Sequence, residues 1–186
     1  MSIYEEILAY RPENEQEERD RTLILDFLEQ NPDAFLRTNR IAHMTASAWV
    51  TNPAHSRVLM VYHKIYDSWS WCGGHADGDE NLLRVALKEC REETGLSRVR
   101  PVSERIFSLE CLTVDGHEKH GEYVSSHLHL NITYLLEADD TQPLHVCEAE
   151  NSGVRWFTPE DALRASTEPW FVKRIYSKLN RRLLNP

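Results

Sequence analysis

The chain has 186 residues, of which 41% are hydrophobic and 27% charged, the composition of a globular protein of one domain with room for a sizeable core. Its formal net charge of −9 argues against sequence-nonspecific binding of nucleic acid or of an anionic membrane, although a bridging divalent cation would admit a small polyanion. Apolar runs are far too short to cross a bilayer, glutamates stand where a secretory signal would be basic and then apolar, and the four cysteines form no CxxC pair. These features predict a cytoplasmic protein with reduced thiols.

Residues 1–38 read as a helical extension that packs on a main domain of residues 39–186. Leu23, Leu25, Phe27 and Leu28 lie within the helical stretch Glu15 to Gln30, which Asn31-Pro32-Asp33 ends. Thr45–Val50 and Arg57–Tyr62 read as a hairpin around Asn52-Pro53. Trp69 and Trp71 bracket a short strand running into Gly73-Gly74; both could stack on a base, and core packing is the favoured reading. A helix is predicted from Asp79, as N-cap, to Thr94, with Gly95 as its C-terminal stop. Arg105–Val114 and Tyr123–Leu136 predict a long antiparallel pair joined by the polar loop Asp115–Gly121. Val154–Phe157 reads as a strand. Thr158-Pro159 starts a small helix, and Pro169–Leu184 a basic amphipathic one. Strands interrupted by helices imply an α/β fold, a sandwich with a mixed sheet.

Chemistry concentrates between Gly74 and Leu96. Glu89, Glu92 and Glu93 stand at i, i+3 and i+4, so three carboxylates share one helical face. Their repulsion turns into binding if a hard divalent cation such as Mg²⁺ sits among them. Leu83, Ala86, Leu87 and Cys90 form a neighbouring stripe that can anchor the helix on a sheet. Gly73 and Gly74 allow an unusual loop whose carbonyls could add ligands.

This segment resembles the Nudix box, G-x5-E-x7-R-E-U-x-E-E-x-G-U with U aliphatic. Gly74, Glu80, Glu89, Glu92, Glu93, Gly95 and Leu96 match; Lys88 replaces the arginine and Cys90 an aliphatic residue. The order of elements over residues 41–183 is also similar to that of a Nudix domain. The resemblance implies a Nudix-like α/β/α sandwich and a hydrolase that uses Mg²⁺, with Mn²⁺ as a substitute, to split the diphosphate bond of a nucleoside diphosphate linked to another moiety. By position, Glu92 and Glu93 would be the main metal ligands, Glu89 a further ligand or the water activator, and the Gly74 carbonyl part of the shell. Glu80 would organise the loop and helix start. Lys88 would keep the charge balance without the planar fork of arginine. Cys72, where relatives often have proline, reads as a buried structural thiol.

Relatives also often draw an acid from a later loop, and Glu150 is the candidate here, as fourth ligand or general base. His63, Lys64, His75, His127 and His129 are candidate phosphate or base contacts; His127 and His129 alternate on a strand and so share a face. A zinc site drawn from His75, His127 and His129 with His117 and His120 has no supporting spacing. The expected partner is a small nucleotide or other diphosphate, with no nucleic acid and no membrane; relatives are often dimers, which makes a second copy the protein partner to test. Leu112 stands where ADP-ribose enzymes have proline, and Thr113 and Val114 where dinucleoside polyphosphate enzymes have tyrosine, so the substrate is unassigned. The alternatives are a nucleotide-sensing module, whose glutamates are usually eroded, and a diphosphate isomerase, whose cysteine and glutamate motifs do not occur here.

Overall fold

A computed structural model describes residues 1–119 and 121–184. The chain opens with α1 (Ile3–Ala9) and α2 (Glu15–Gln30). Ser2 and Asn14 cap their N-termini, each side chain accepting a backbone N–H three residues on. The sheet strands follow: β1 (Ala42–Thr51), β2 (Val58–His63), β3 (Ser68–Ser70) and β4 (Cys72–His75), then α3 (Leu82–Thr94). After it come β5 (Val99–Pro101), β6 (Ser108–Val114), β7 (His117–Lys119), β8 (Glu122–Val124), β9 (His127–Ala138) and β10 (Asn151–Phe157). The chain closes with α4 (Pro159–Ala165), α5 (Pro169–Phe171), a π-helical turn (Val172–Tyr176) and α6 (Ser177–Leu184).

The architecture is the expected α/β sandwich on a mixed sheet. The central path runs β10-β2-β1-β9-β5, with β3 on β2, β4 on β1 and β6 on β9. β1 and β9 pair in parallel over their whole length, from Ala42↔Leu128 to Thr51↔Glu137; the other pairs are antiparallel. Alternation along β1 sorts the two faces. Met44, Ala46, Ala48 and Val50 share a core with Val85, Ala86 and Cys90 of α3, and with Ile7, Ile24 and Leu25 of the N-terminal helices. On the other face, Trp49 packs with Ile175, Tyr176, Leu179 and Leu183 of the C-terminal helical segment. Trp71 lies in that second core and Trp69 packs against it, as expected of core tryptophans.

Two local expectations are corrected. Asn81, not Asp79, caps α3, its side chain accepting from the Arg84 N–H at 2.9 Å. Asp79 instead accepts from the Asn81 N–H and grips the Arg84 guanidinium in a two-pronged pair. The segment expected as the loop Asp115–Gly121 contains a strand, β7, whose residues His117-Glu118-Lys119 pair antiparallel with Glu122-Tyr123-Val124 of β8 beyond it. The C-terminal helix is amphipathic as expected, with Leu179 and Leu183 buried, and one of its basic residues also lies inside: Lys178 is 1% exposed and bonds Glu17 and Glu110. Gly95 ends α3 as expected, at φ +73°, a conformation that costs glycine little. No helix among the described residues is long and apolar enough to cross a membrane.

Candidate metal and active site

Two clusters of ligating side chains sit near the end of β4. The first is acidic. Glu89, Glu93 and Glu150 bring carboxylate oxygens within 4.8 Å of one another, although Glu150 is more than fifty residues from the other two. Helix α3 supplies the first pair through its i, i+4 spacing. The turn before β10 supplies the third, and Asn151 holds it there: this buried residue donates its side-chain amide to the Glu93 carbonyl at 3.2 Å and its N–H to Cys147. The C-terminus of α3 and the Glu150 turn are thus tied together. The sequence alone did not single out Asn151, since only pairing of β10 with β2 brings it against the helix.

Glu93 is 3% exposed. One of its oxygens accepts the Gly73 N–H at 3.3 Å, and the other has no hydrogen-bond partner among the described residues. Burial, and then the charges of Glu89 and Glu150, push its carboxyl well above the usual range. Burial also raises Glu89, against the pull of Lys88. A buried, unpartnered carboxylate oxygen beside two further carboxylates is a donor set suited to a hard divalent cation. Gly74 makes the approach feasible. A Cβ there would lie 2.5 Å from the Glu89 side-chain carbon and 2.7 Å from its Oε2.

Glu92 is not in this trio; its half-exposed carboxylate takes the Lys88 ammonium at 3.2 Å, while the same ammonium meets Glu89 at 3.0 Å. Lys88 therefore braces two of the helix glutamates as a point charge. Glu80 is exposed. His63 and Lys64 lie beside Glu150: His63 is in register with Asn151, the Lys64 N–H donates to the Glu150 carbonyl at 3.2 Å, and the Lys64 ammonium bonds the Glu148 carbonyl. Cys72 is fully buried; its hydrogen bond with Cys90, then burial, raises the thiol well above its ordinary range, which suits a structural role.

The second cluster is made of histidines. His75, His127 and His129 do not join the carboxylates; they meet His43, which the sequence alone did not flag. Ring centroids of His43 lie 5.0–5.1 Å from those of the other three. Strand register explains the gathering: His43 pairs with His129, and Thr45 with His75. Burial, then the neighbouring imidazoles, depress His129 to about 2, and burial lowers His43. His117 is in ring contact with His127, while His120 lies outside the described residues.

The NUDIX domain model matches residues 42–179. Among solved structures, a *C. elegans* Ap4A hydrolase binary complex is similar at 15% identity and TM-score 0.54, covering 77% of this chain and 98% of that one. *E. coli* dihydroneopterin triphosphate pyrophosphohydrolase is similar at 13% identity and TM-score 0.56, covering 77% and 96%. The NUDIX domain of *Shewanella oneidensis* NrtR complexed with ADP ribose is similar at 17% identity and TM-score 0.51, covering 85% and 97%. At such identities the likeness is one of fold. No curated protein matches the chain.

Proposed function

The chain belongs to the NUDIX domain family, and from that membership we propose that it is a divalent-metal-dependent pyrophosphohydrolase acting on a nucleoside diphosphate linked to another moiety. The observation that carries this reading is the Glu89–Glu93–Glu150 trio with its unpartnered Glu93 oxygen. The proposed metal-holding residues are Glu89, Glu93 and Glu150 with the Gly74 carbonyl, and Glu92 joins them when Lys88 releases it. Bound there, Mg²⁺ or Mn²⁺ supplies neutralisation of the diphosphate charge and acidification of water. Glu150, the exposed member, accepts the proton of the attacking water. Lys64 and His63, beside it, contact the phosphates. The net charge of −9 is then no obstacle to an anionic substrate, because a cation stands between them.

A panel of nucleoside diphosphates linked to a sugar, to a second nucleoside or to another group tests this. With Mg²⁺ or Mn²⁺, at least one member is expected to yield a nucleoside monophosphate or other phosphorylated product, and chelator should abolish the yield. Tight binding without a metal-dependent product would point to a sensing module; a rearranged diphosphate with no phosphate product, to an isomerase. Either outcome would overturn the proposal.

Gly74→Ala probes the close approach. The new methyl displaces the end of the Glu89 side chain, whose nearest atoms are flexible ones. The expected result is a fall in turnover of ~100-fold, the scale of a misplaced catalytic group, with a melting temperature close to that of the unsubstituted protein. Unchanged turnover would show that Glu89 need not stay against Gly74.

A further inference from the structure

We propose that His43, His75 and His129, with His127 as the fourth ligand, form a second metal site that binds a transition-metal ion of the Zn²⁺ type. The first three residues bring ring nitrogens within 4.8 Å of one another. His127 Nε2 lies 3.2 Å from His129 Nε2. Two nitrogens bound to one tetrahedral zinc at Zn–N of about 2.0–2.1 Å are separated by roughly 3.3–3.4 Å, so this pair already has the spacing of co-ligands. Small ring rotations bring the others in.

The protons are arranged for it. His43 is 4% exposed, and its Nδ1 lies 3.0 Å from the Asn39 carbonyl, which can only accept. Nδ1 therefore carries the hydrogen, and Nε2 presents a lone pair to the cluster. That Nε2 is buried and has no hydrogen-bond partner among the described residues. His127 repeats the pattern, with Nδ1 at 2.9 Å from the Ser125 carbonyl and Nε2 turned toward His129. An imidazole that donates one N–H to a backbone carbonyl and aims its other nitrogen at a shared point has the outer-shell support of a metal ligand. Hydrogen bonding within the group cannot satisfy His43 Nε2 as it stands; a cation at the shared point does.

The donor set distinguishes this site from the acidic one. Neutral imidazoles suit zinc and other first-row transition metals, whereas Mg²⁺ takes oxygen. The sites also lie on opposite faces of β4. Gly74 faces Glu89, so the next residue, His75, projects the other way. A metal here joins β1, β4 and β9 next to the glycines that line the carboxylates.

The test uses the full chain, stripped with chelator, then equilibrated with Zn²⁺ or Co²⁺ in a large excess of Mg²⁺. One equivalent of Zn²⁺ per chain should be retained after desalting, and Co²⁺ should give the visible absorption of a tetrahedral site. His75→Ala and His129→Gln should each lose the retained equivalent, while the Glu89→Gln/Glu93→Gln double variant keeps it. Ring ¹⁵N resonances of the unsubstituted protein give a reading that needs no variant to fold: Zn²⁺ should shift His43, His75, His127 and His129 and spare the separate His55 and His145. No retained metal, retention in both histidine variants, loss only in the glutamate variant, or shifts confined to other histidines would each overturn the proposal.

Discussion

Lys178→Met is expected to destabilise the protein by about 3–5 kcal/mol, the cost of leaving a buried charge without its partner. The Lys178 ammonium, 1% exposed, sits 2.9 Å from both Glu17 and Glu110, which are fully buried. The Ser108 hydroxyl lies within hydrogen-bond reach of both carboxylates, Arg182 pairs with Glu17 at 2.7 Å, and Tyr10 donates to Glu17 as well. Two carboxylates face two cations, and removing one cation leaves a net negative charge where water cannot reach. The methionine fills the space but supplies no donor. At 2–4 °C per kcal/mol for a chain of this size, the melting temperature should fall by roughly 6–20 °C. Chemical denaturation measures the loss directly, and a change below about 1 kcal/mol would show that water or relaxation screens the site. Replacing Glu110 and Lys178 together by apolar residues should recover much of it, since Glu17 then keeps Arg182 as its partner and the lost term is an imbalance rather than the attraction itself.

Acid should act on the same cluster. Burial alone would raise the Glu17 carboxyl, but Lys178, the Glu13 N–H and Arg182 outweigh it and hold the group below its ordinary value. A depressed carboxyl contributes stability above its unfolded pKa and loses it as pH falls through the folded one. The contribution is therefore present at neutral pH and disappears in acid. In Lys178→Met the main opposing charge is gone, so this part of the acid dependence should flatten.

Which parts were legible in the sequence follows from the range of the signals. Helical spacing displays Glu89, Glu92 and Glu93 without any knowledge of the fold, and the glycines and turn residues mark most element ends. The choice of cap at α3 needed more. Asp79 and Asn81 are both good cap residues, and in the fold Asn81 takes the Arg84 N–H while Asp79 is engaged with the Arg84 guanidinium. The place of His43 among the histidines and the Glu17–Lys178–Glu110 ion group were illegible for another reason. Each joins positions more than thirty residues apart through strand register or helix docking, and no local pattern records a register. Lys178 looks like one more basic residue of the C-terminal helix until α2 is laid beside it. The parallel pairing of β1 with β9 is what turns His43 and His129 into neighbours.

Glu93→Gln should separate function from stability in the acidic site. In the folded, metal-free chain the Glu93 carboxyl titrates above its unfolded value because burial, with Glu89 and Glu150, disfavours its charge. A raised carboxyl contributes stability below the unfolded pKa, and that contribution is lost as pH rises through the folded one. At neutral pH the carboxyl is thus a burden on the metal-free fold. Glutamine removes the charge while keeping an acceptor for the Gly73 N–H. The metal-free variant is expected to melt at or above the temperature of the metal-free unsubstituted chain. Mg²⁺ reverses the order. At 100 times its dissociation constant a ligand adds ~2.7 kcal/mol to a protein that binds it only when folded, and the variant should gain far less. Turnover should fall more than ~100-fold, beyond the 10–100-fold typical of losing an outer-shell partner, because the variant removes a proposed ligand itself. Calorimetric melts with and without Mg²⁺, beside product release from the best substrate, read both effects. Lower stability without metal would give Glu93 a structural role, and undiminished turnover would remove it from the metal site.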